Sequence, residues 1–89
     1  MLASRGMCLE ARPAYEEATR AVASDASASV GLALLRAQCE RELGDRQLAH
    51  DVLIGAWSRA LSVGRGTEVL DALLTLAREA DALAALDAL

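Results

Sequence analysis

Two short glycine-containing breaks divide this alanine- and leucine-rich chain, and they constrain its fold more than any other feature. The breaks are Gly44-Asp45 and Gly64-Arg65-Gly66, and each follows a segment long enough to form a helix. Glycine ends a helix readily because it adopts the left-handed conformation without steric cost, and Asp45 or Thr67 can cap the next helix. Helices joined by such short turns pack as antiparallel neighbours. The breaks therefore predict an antiparallel array of helical hairpins.

The composition favours an all-α fold with an aliphatic core. The 89 residues include twenty alanines and sixteen leucines, against eleven residues of the types Val, Ile, Thr, Tyr and Trp. Alanine and leucine are strong helix formers, whereas the second group favours strands. Hydrophobic residues make up 54% of the chain, which is enough to form a core, but aromatic residues make up only 2%. Aliphatic side chains must therefore fill that core.

Apolar residues at spacings of three and four predict helices over residues 9–23, 29–43, 46–63 and from 68 onward. Pro13 falls near the start of the first of these, where a proline is tolerated. The last helix either continues to residue 89 or bends near Ala80-Asp81, which gives four or five helices. Residues 8–89 then form one domain after a flexible tail of residues 1–7. The apolar stripe of the second helix consists of Leu32, Leu35, Cys39 and Leu43.

Several classes of protein are disfavoured by charge and hydropathy. The formal net charge of −4 argues against a dedicated nucleic-acid binder, because phosphate contacts supply most of that affinity. No segment approaches the roughly 18 apolar residues of a membrane span, and the N-terminus lacks the apolar stretch of a secretory signal. We therefore expect a cytoplasmic protein without membrane association. Cys8 and Cys39 would then stay reduced and pack as small apolar residues.

Few residues could support catalysis or bind a cofactor. His50 and Asp51 are adjacent, but neighbours in a helix point about 100° apart, and no nucleophile stands at a matching offset. Cys8, Cys39 and His50 lack the spacing of a zinc site. We therefore predict no enzyme activity, no metal and no cofactor, with His50 at the surface.

Two charged features have simple interpretations. Arg65 precedes a helix N-terminus and could hold an anion there, but the segment lacks the spacing and the lysine of a Walker loop, so a capped turn is preferred. Two glutamates stand four residues before an arginine, at 16/20 and 42/46, as in solvent-facing ion pairs. Four glutamates are accordingly assigned to a solvent-exposed face: Glu16, Glu17, Glu40 and Glu42.

A longer motif spans both breaks. It runs Leu43-Gly44-Asp45-Arg46-x-Leu48-Ala49, Val52-Leu53, Ser58-x-Ala60-Leu61, Gly64-Arg65, Glu68-Val69-Leu70 and Leu76-Ala77-Arg78-Glu79-Ala80. This motif, over residues 43–80, resembles the degenerate tetratricopeptide-like repeats that follow the DNA-binding domain in many bacterial helix-turn-helix transcriptional regulators. The resemblance assigns the packing positions of the repeat to Ala37, Gly44, Ala49, Leu53 and Ala56. At the positions of the pattern's Trp, Leu, Tyr and Pro, the chain has Ala33, Arg36, Glu40 and Leu61.

The resemblance implies a non-catalytic protein–protein interaction module of a bacterial regulatory system, in which a partner helix or peptide fills a groove between stacked helices. Trp57 is expected to anchor the core or, if exposed, to act as a binding hot spot. The C-terminal apolar run could bind a partner or a second copy of the chain. The predicted interaction edge comprises Trp57, Leu83, Leu86 and Leu89.

The alternative function is a small DNA-binding regulator. It requires that five arginines share one face of the molecule: Arg36, Arg41, Arg46, Arg59 and Arg65.

Overall fold

The computed structural model describes the backbone of residues 2–88 and the side chains of residues 7–88. Within these residues it contains four helices: α1 (Leu2–Ala21), α2 (Ala26–Glu42), α3 (Arg46–Ser62) and α4 (Gly66–Asp87). The all-α class is therefore confirmed. Since α4 is continuous past Ala80-Asp81, the four-helix alternative is correct.

The turns form largely as the sequence predicts. Gly44 and Gly64 adopt left-handed φ angles of 89° and 74°. Asp45 caps α3, because its Oδ1 accepts a hydrogen bond of 3.0 Å from the Leu48 backbone N–H. The prediction that Thr67 caps α4 is wrong, since the helix begins at Gly66, two residues before its predicted start, and has no side-chain cap. Asp25 caps α2 in the same way as Asp45, so this helix begins at Ala26, three residues before its predicted start.

Helix α1 differs most from the prediction. It begins at Leu2, so helical backbone covers residues that the sequence assigns to a tail. Pro13 consequently lies inside the helix rather than in its first turn. An interior proline removes one backbone hydrogen bond and costs a helix about 3 kcal/mol. Contacts outside α1 must therefore offset this cost.

The core lies between α2, α3 and α4. Consecutive helices pack against each other, and α2 also contacts α4. The α3–α4 pair is antiparallel, because Arg46 at the start of α3 meets Glu79 late in α4, whereas Trp57 lies beside Gly66. Alanines are prominent in this core, and their small side chains allow the helices to approach closely. The buried cluster consists of Val30, Ala37, Ala49, Leu53, Ala60, Val69 and Leu76.

The predicted apolar stripe of α2 does not face this core. Val30 and Ala37 supply the core face of α2, and the stripe lies elsewhere on the helix. Leu32 and Leu35 line a groove together with Ala18 and Val22, so this part of the stripe faces α1.

Cys8 and Cys39 form a disulfide, so the expectation of two free thiols is wrong. Their Cα atoms lie 5.3 Å apart, within the range that a disulfide requires. The expectation rests on compartment alone, whereas the pairing follows from the packing of α1 on α2. The bond links residues 31 positions apart in the chain.

Candidate interaction surface

An open groove lies between α3 and α4. It has a volume of about 370 Å³. The lining residues of α3 stand at helical spacing, and so do those of α4. Each wall of the groove is therefore one face of one helix. Alanine at two of the α4 positions keeps the groove open. The apolar lining consists of Ile54, Leu73, Leu76, Ala77 and Ala80, and the polar lining of Arg46, Gln47 and His50.

Beyond this groove, α4 continues past the neighbouring helices. Glu79 contacts Arg41 at the end of α2 and Arg46 at the start of α3. The ends of those two helices that lie beside α4 are therefore level with Glu79. Leu83 and Leu86 follow Leu76 at spacings that keep them on the same side of α4. The side of α4 that faces the core therefore extends beyond the core. Leu83 is 43% exposed and Leu86 is 64% exposed.

The predicted interaction edge is divided by the structure. Trp57 is half-buried, packs against the core, and lines a shallow groove with Leu61 and Leu70 beside the α3–α4 turn. Leu83 lies near the opposite end of α4, about 26 Å from that turn at 1.5 Å per residue. Trp57 and the C-terminal leucines therefore belong to separate surfaces. Leu89 lies outside the described residues.

Four of the predicted packing positions are buried, namely Ala37, Ala49, Leu53 and Ala56. The fifth, Gly44, lies exposed in the α2–α3 turn. Their assignment to a tetratricopeptide-like repeat remains a prediction, since burial alone is common to many helical arrays.

The residues considered for catalysis are either exposed to solvent or bonded to each other in the disulfide. His50 Nδ1 is 3.6 Å from Asp51 Oδ1, and both side chains are more than half exposed. Asp51 also accepts a hydrogen bond of 2.9 Å from Gln47 Nε2. Both cysteine sulfurs are committed to the disulfide. Among residues 7–88, no three His, Cys, Asp or Glu side chains gather as a metal site would require.

The buried carboxylate of Glu40 is a feature that sequence reasoning missed. Glu40 is 1% exposed, although the sequence assigns it to the solvent-exposed face. Arg12 of α1 donates hydrogen bonds from Nε to both of its carboxylate oxygens, at 3.0 and 3.1 Å, and a further one from Nη2. This hydrogen bonding raises the pKa of Arg12 above its ordinary value. The sequence contained one indication of this burial, because the resemblance to the repeat places Glu40 where the pattern has a tyrosine.

The arginines do not form one basic face. Arg41 and Arg46 both contact Glu79, at 3.5 and 3.7 Å, so the predicted ion pair of Arg46 with Glu42 is wrong. Arg36 and Arg59 share a groove with an acidic residue, Asp51. Of the five arginines required for DNA binding, Arg41, Arg46 and Arg65 thus pair with carboxylates, and the other two lie in a different groove. This arrangement gives no support to a DNA-binding surface.

Arg65 joins the start of α4 to the start of α2. Its Nε donates a hydrogen bond of 2.6 Å to Glu68, and its Nη1 donates one of 2.9 Å to the Ser27 carbonyl. The bond to Arg65 lowers the pKa of Glu68 below its ordinary value of 4.5, and it raises the pKa of Arg65. Gly31 leaves space for this arrangement, because a Cβ atom there would lie 3.1 Å from Nη1. The Arg65 guanidinium, which the sequence offered as a possible anion site, therefore already donates hydrogen bonds to acceptors within the protein.

Within the described residues, no helix is both long enough and apolar enough to cross a membrane. Comparison with protein-family models, curated proteins and solved structures finds no match to this chain.

Proposed function

We propose that this chain is a non-catalytic protein–protein interaction module of the tetratricopeptide-like type, which acts in the cytoplasm as part of a bacterial regulatory system. The observation that carries the proposal is the extension of α4 beyond α2 and α3. Leu83 and Leu86 continue the side of α4 that forms the core, but there they face solvent. A helical surface of this kind is completed by another apolar helix.

The proposed partner element is an amphipathic helix with acidic flanks. Its apolar side chains, spaced three and four residues apart, would pack against Leu83 and Leu86 and enter the groove beside Ile54. The groove carries His50 and Arg46 among its polar residues; Arg46 contacts Glu79 through Nη2 at 3.7 Å, and a carboxylate on the partner would add a second acceptor for its guanidinium. A second copy of the chain also meets this description, because its own α4 carries Leu83 and Leu86 next to aspartates.

A peptide selection tests the proposal. Amphipathic helical peptides that bind the full chain are isolated from a displayed library, and their dissociation constants are measured for matched variants. The double variant Leu83→Glu/Leu86→Glu is expected to weaken binding by about tenfold or more, since it places charge in the apolar contact. The control is Met7→Glu/Leu9→Glu, which changes two exposed apolar residues of α1. The proposal fails if both variants weaken binding equally or if the α4 variant binds as well as the parent chain.

Light scattering after size exclusion identifies the form of the partner. The mass is measured over about a hundredfold range of concentration. A mass that rises with concentration in the parent chain, but not in Leu83→Glu/Leu86→Glu, identifies a second copy as one occupant. A constant monomer mass assigns the surface to another protein.

A further inference from the structure

Helix α1 is attached to the rest of the molecule through few side chains. In the described residues it packs against α2 and contributes nothing to the buried core cluster. Cys8 is the single buried side chain between residues 7 and 21. Pro13 interrupts the backbone hydrogen bonding of this helix from within. Apart from Cys8, the packing face of α1 consists of half-buried residues such as Ala11, Tyr15 and Ala18, so full burial contributes less to this helix than to α2 and α3.

The attachments that do hold α1 converge on one short segment of α2. Cys8 is bonded to Cys39, and Arg12 binds the adjacent Glu40. The Tyr15 hydroxyl lies 3.7 Å from Cys39 Sγ, and it is the donor of this weak contact because a disulfide sulfur carries no hydrogen. One covalent bond and its immediate neighbours thus hold the middle of α1, from Cys8 to Tyr15, on α2.

Helix α1 in turn covers an apolar surface of α2. Leu32 and Leu35 share a groove with Ala18 of α1 and with Val22 in the turn that follows it, and Cys39 continues their side of α2 at helical spacing. Leu35 is already 56% exposed, so displacement of α1 would mainly uncover Leu32 and Cys39, which are half-buried. Breaking the disulfide would therefore free α1 to move and would also uncover apolar surface on α2.

We infer that the Cys8–Cys39 bond is a redox-operated clamp, which holds α1 over the apolar stripe of α2 when oxidised and releases α1 when reduced. In reducing compartments, the disulfides that do form are mostly transient, catalytic or redox-sensing. The redox role rests on the cytoplasmic location given in the proposed function, but it is independent of the partner surface on α4, since it involves other helices and other residues.

A dithiol reductant opens the clamp by thiol–disulfide exchange. One thiolate of the reductant attacks Cys39 Sγ, the half-buried partner, and forms a mixed disulfide while Cys8 leaves as a thiolate and takes up a proton. The second thiolate of the reductant then attacks the mixed disulfide, which forms the disulfide of the reductant and releases Cys39 as a thiol. Two electrons and two protons pass to the protein. A small-molecule disulfide reverses these steps and closes the clamp.

Glu42 is placed to govern the rate of opening. Its Oε2 lies 3.7 Å from Cys8 Sγ. While the disulfide is intact, this sulfur has no hydrogen to donate, so the contact is one of proximity. As Cys8 leaves, its developing negative charge is opposed by the neighbouring carboxylate. The Cys8 thiol that results can donate its S–H to Glu42. The carboxylate therefore slows reduction.

Amide hydrogen exchange on the full chain, with and without dithiothreitol, tests the clamp. After reduction, the amides of residues 9–21 are expected to exchange about tenfold faster or more, while those of the α3 core change by less than about twofold. An apolar fluorescent dye should gain intensity on reduction, because the α2 stripe becomes accessible. Unchanged exchange in α1 would overturn the inference. Loss of protection throughout the chain would also overturn it, since the bond would then be a staple of the entire fold.

Two variants control the test. Cys8→Ser/Cys39→Ser should exchange like the reduced chain and should not respond to dithiothreitol. If this variant does not fold, the reduced parent chain still decides the question. Glu42→Gln should shorten the half-time of reduction several-fold, as followed by thiol labelling and mass spectrometry. An equal half-time would remove the role assigned to Glu42. Failure of the parent chain to form the disulfide with a glutathione redox pair would overturn the clamp itself.

Discussion

Helix α1 and the three-helix unit of α2, α3 and α4 are held by different physical means. The three-helix unit shares a buried cluster in which Ala49, Leu53 and Val69 pack with almost no exposure. Helix α1 is held by a disulfide and by the ion pair of Arg12 with Glu40. Burial is distributed over many atoms and needs no particular partner, whereas a disulfide or an ion pair depends on two particular residues.

The difference shows how an alanine-rich sequence can attach a helix whose packing face has a single fully buried side chain among the described residues. In α3, alanines at helical spacing allow the close approach of neighbours, and large aliphatic residues fill the remaining space. In α1, proline and charged residues occupy much of the surface. Directional contacts then add to the partial burial of Ala11, Tyr15 and Ala18. Such an attachment can be undone at one site without disrupting the core.

The largest effect is expected from a cavity in the three-helix unit. Leu53→Ala removes a fully buried side chain and should lower the free energy of unfolding by about 2–5 kcal/mol. Urea denaturation followed by circular dichroism measures this change. Leu61→Ala, on the same helix but 57% exposed, is the control and should change it by less than about 0.5 kcal/mol. Similar losses for both variants would contradict the placement of the core.

An intermediate effect, confined to α1, is expected from the Arg12–Glu40 pair. Arg12→Leu leaves a buried carboxylate without its partner, whereas Glu40→Leu leaves an arginine whose side chain is 42% exposed and can turn to water. Arg12→Leu should therefore accelerate amide exchange in α1 more than Glu40→Leu does.

The double variant Arg12→Leu/Glu40→Leu sharpens this comparison. It should restore much of the lost protection, because two apolar side chains replace the pair. Faster exchange in the double variant than in Arg12→Leu would show that the charge on Glu40 is not what destabilises the single variant.

The smallest effect is expected from the exposed pair of Arg65 with Glu68. The folded state lowers the pKa of Glu68 below 4.5, so the pair stabilises the fold above that pH, and the stabilisation is lost as the pH falls through the lowered value. Solvent screening keeps the contribution small. Urea midpoints of the parent chain and Glu68→Gln should differ at pH 7 and converge as the pH falls through the lowered pKa of Glu68. A difference that grows with acidification would show that the folded state does not favour the ionised form of Glu68.

The sequence predicts the three-helix unit better than it predicts α1, and the reason is physical. Helix α3 is expected over residues 46–63 and spans Arg46–Ser62, because Asp45 and Gly64 mark its ends locally. Helix α1 is expected from residue 9 but begins at Leu2. Its supporting contacts join residues 28 and 31 positions apart, and a local pattern contains no information on such pairs.

The surfaces can be predicted only in part. Leu83 and Leu86 are exposed, but Trp57 lies at the opposite end of α4, because a list of apolar residues does not specify where antiparallel helices place them. The general behaviour of glutamate assigns Glu40 to solvent, which is a sound rule until a cation reaches it from another helix. The compartment argument assigns Cys39 as a free thiol, but it contains no information on distance.

The contact between Gly31 and Arg65 has a consequence for the evolution of this chain. A methyl group at position 31 would press on the guanidinium that reaches the Ser27 carbonyl. Alanine, which helices generally prefer, becomes acceptable at position 31 once residue 65 is shorter. The two positions should therefore covary among descendants of this sequence, although they are separated by an entire helix.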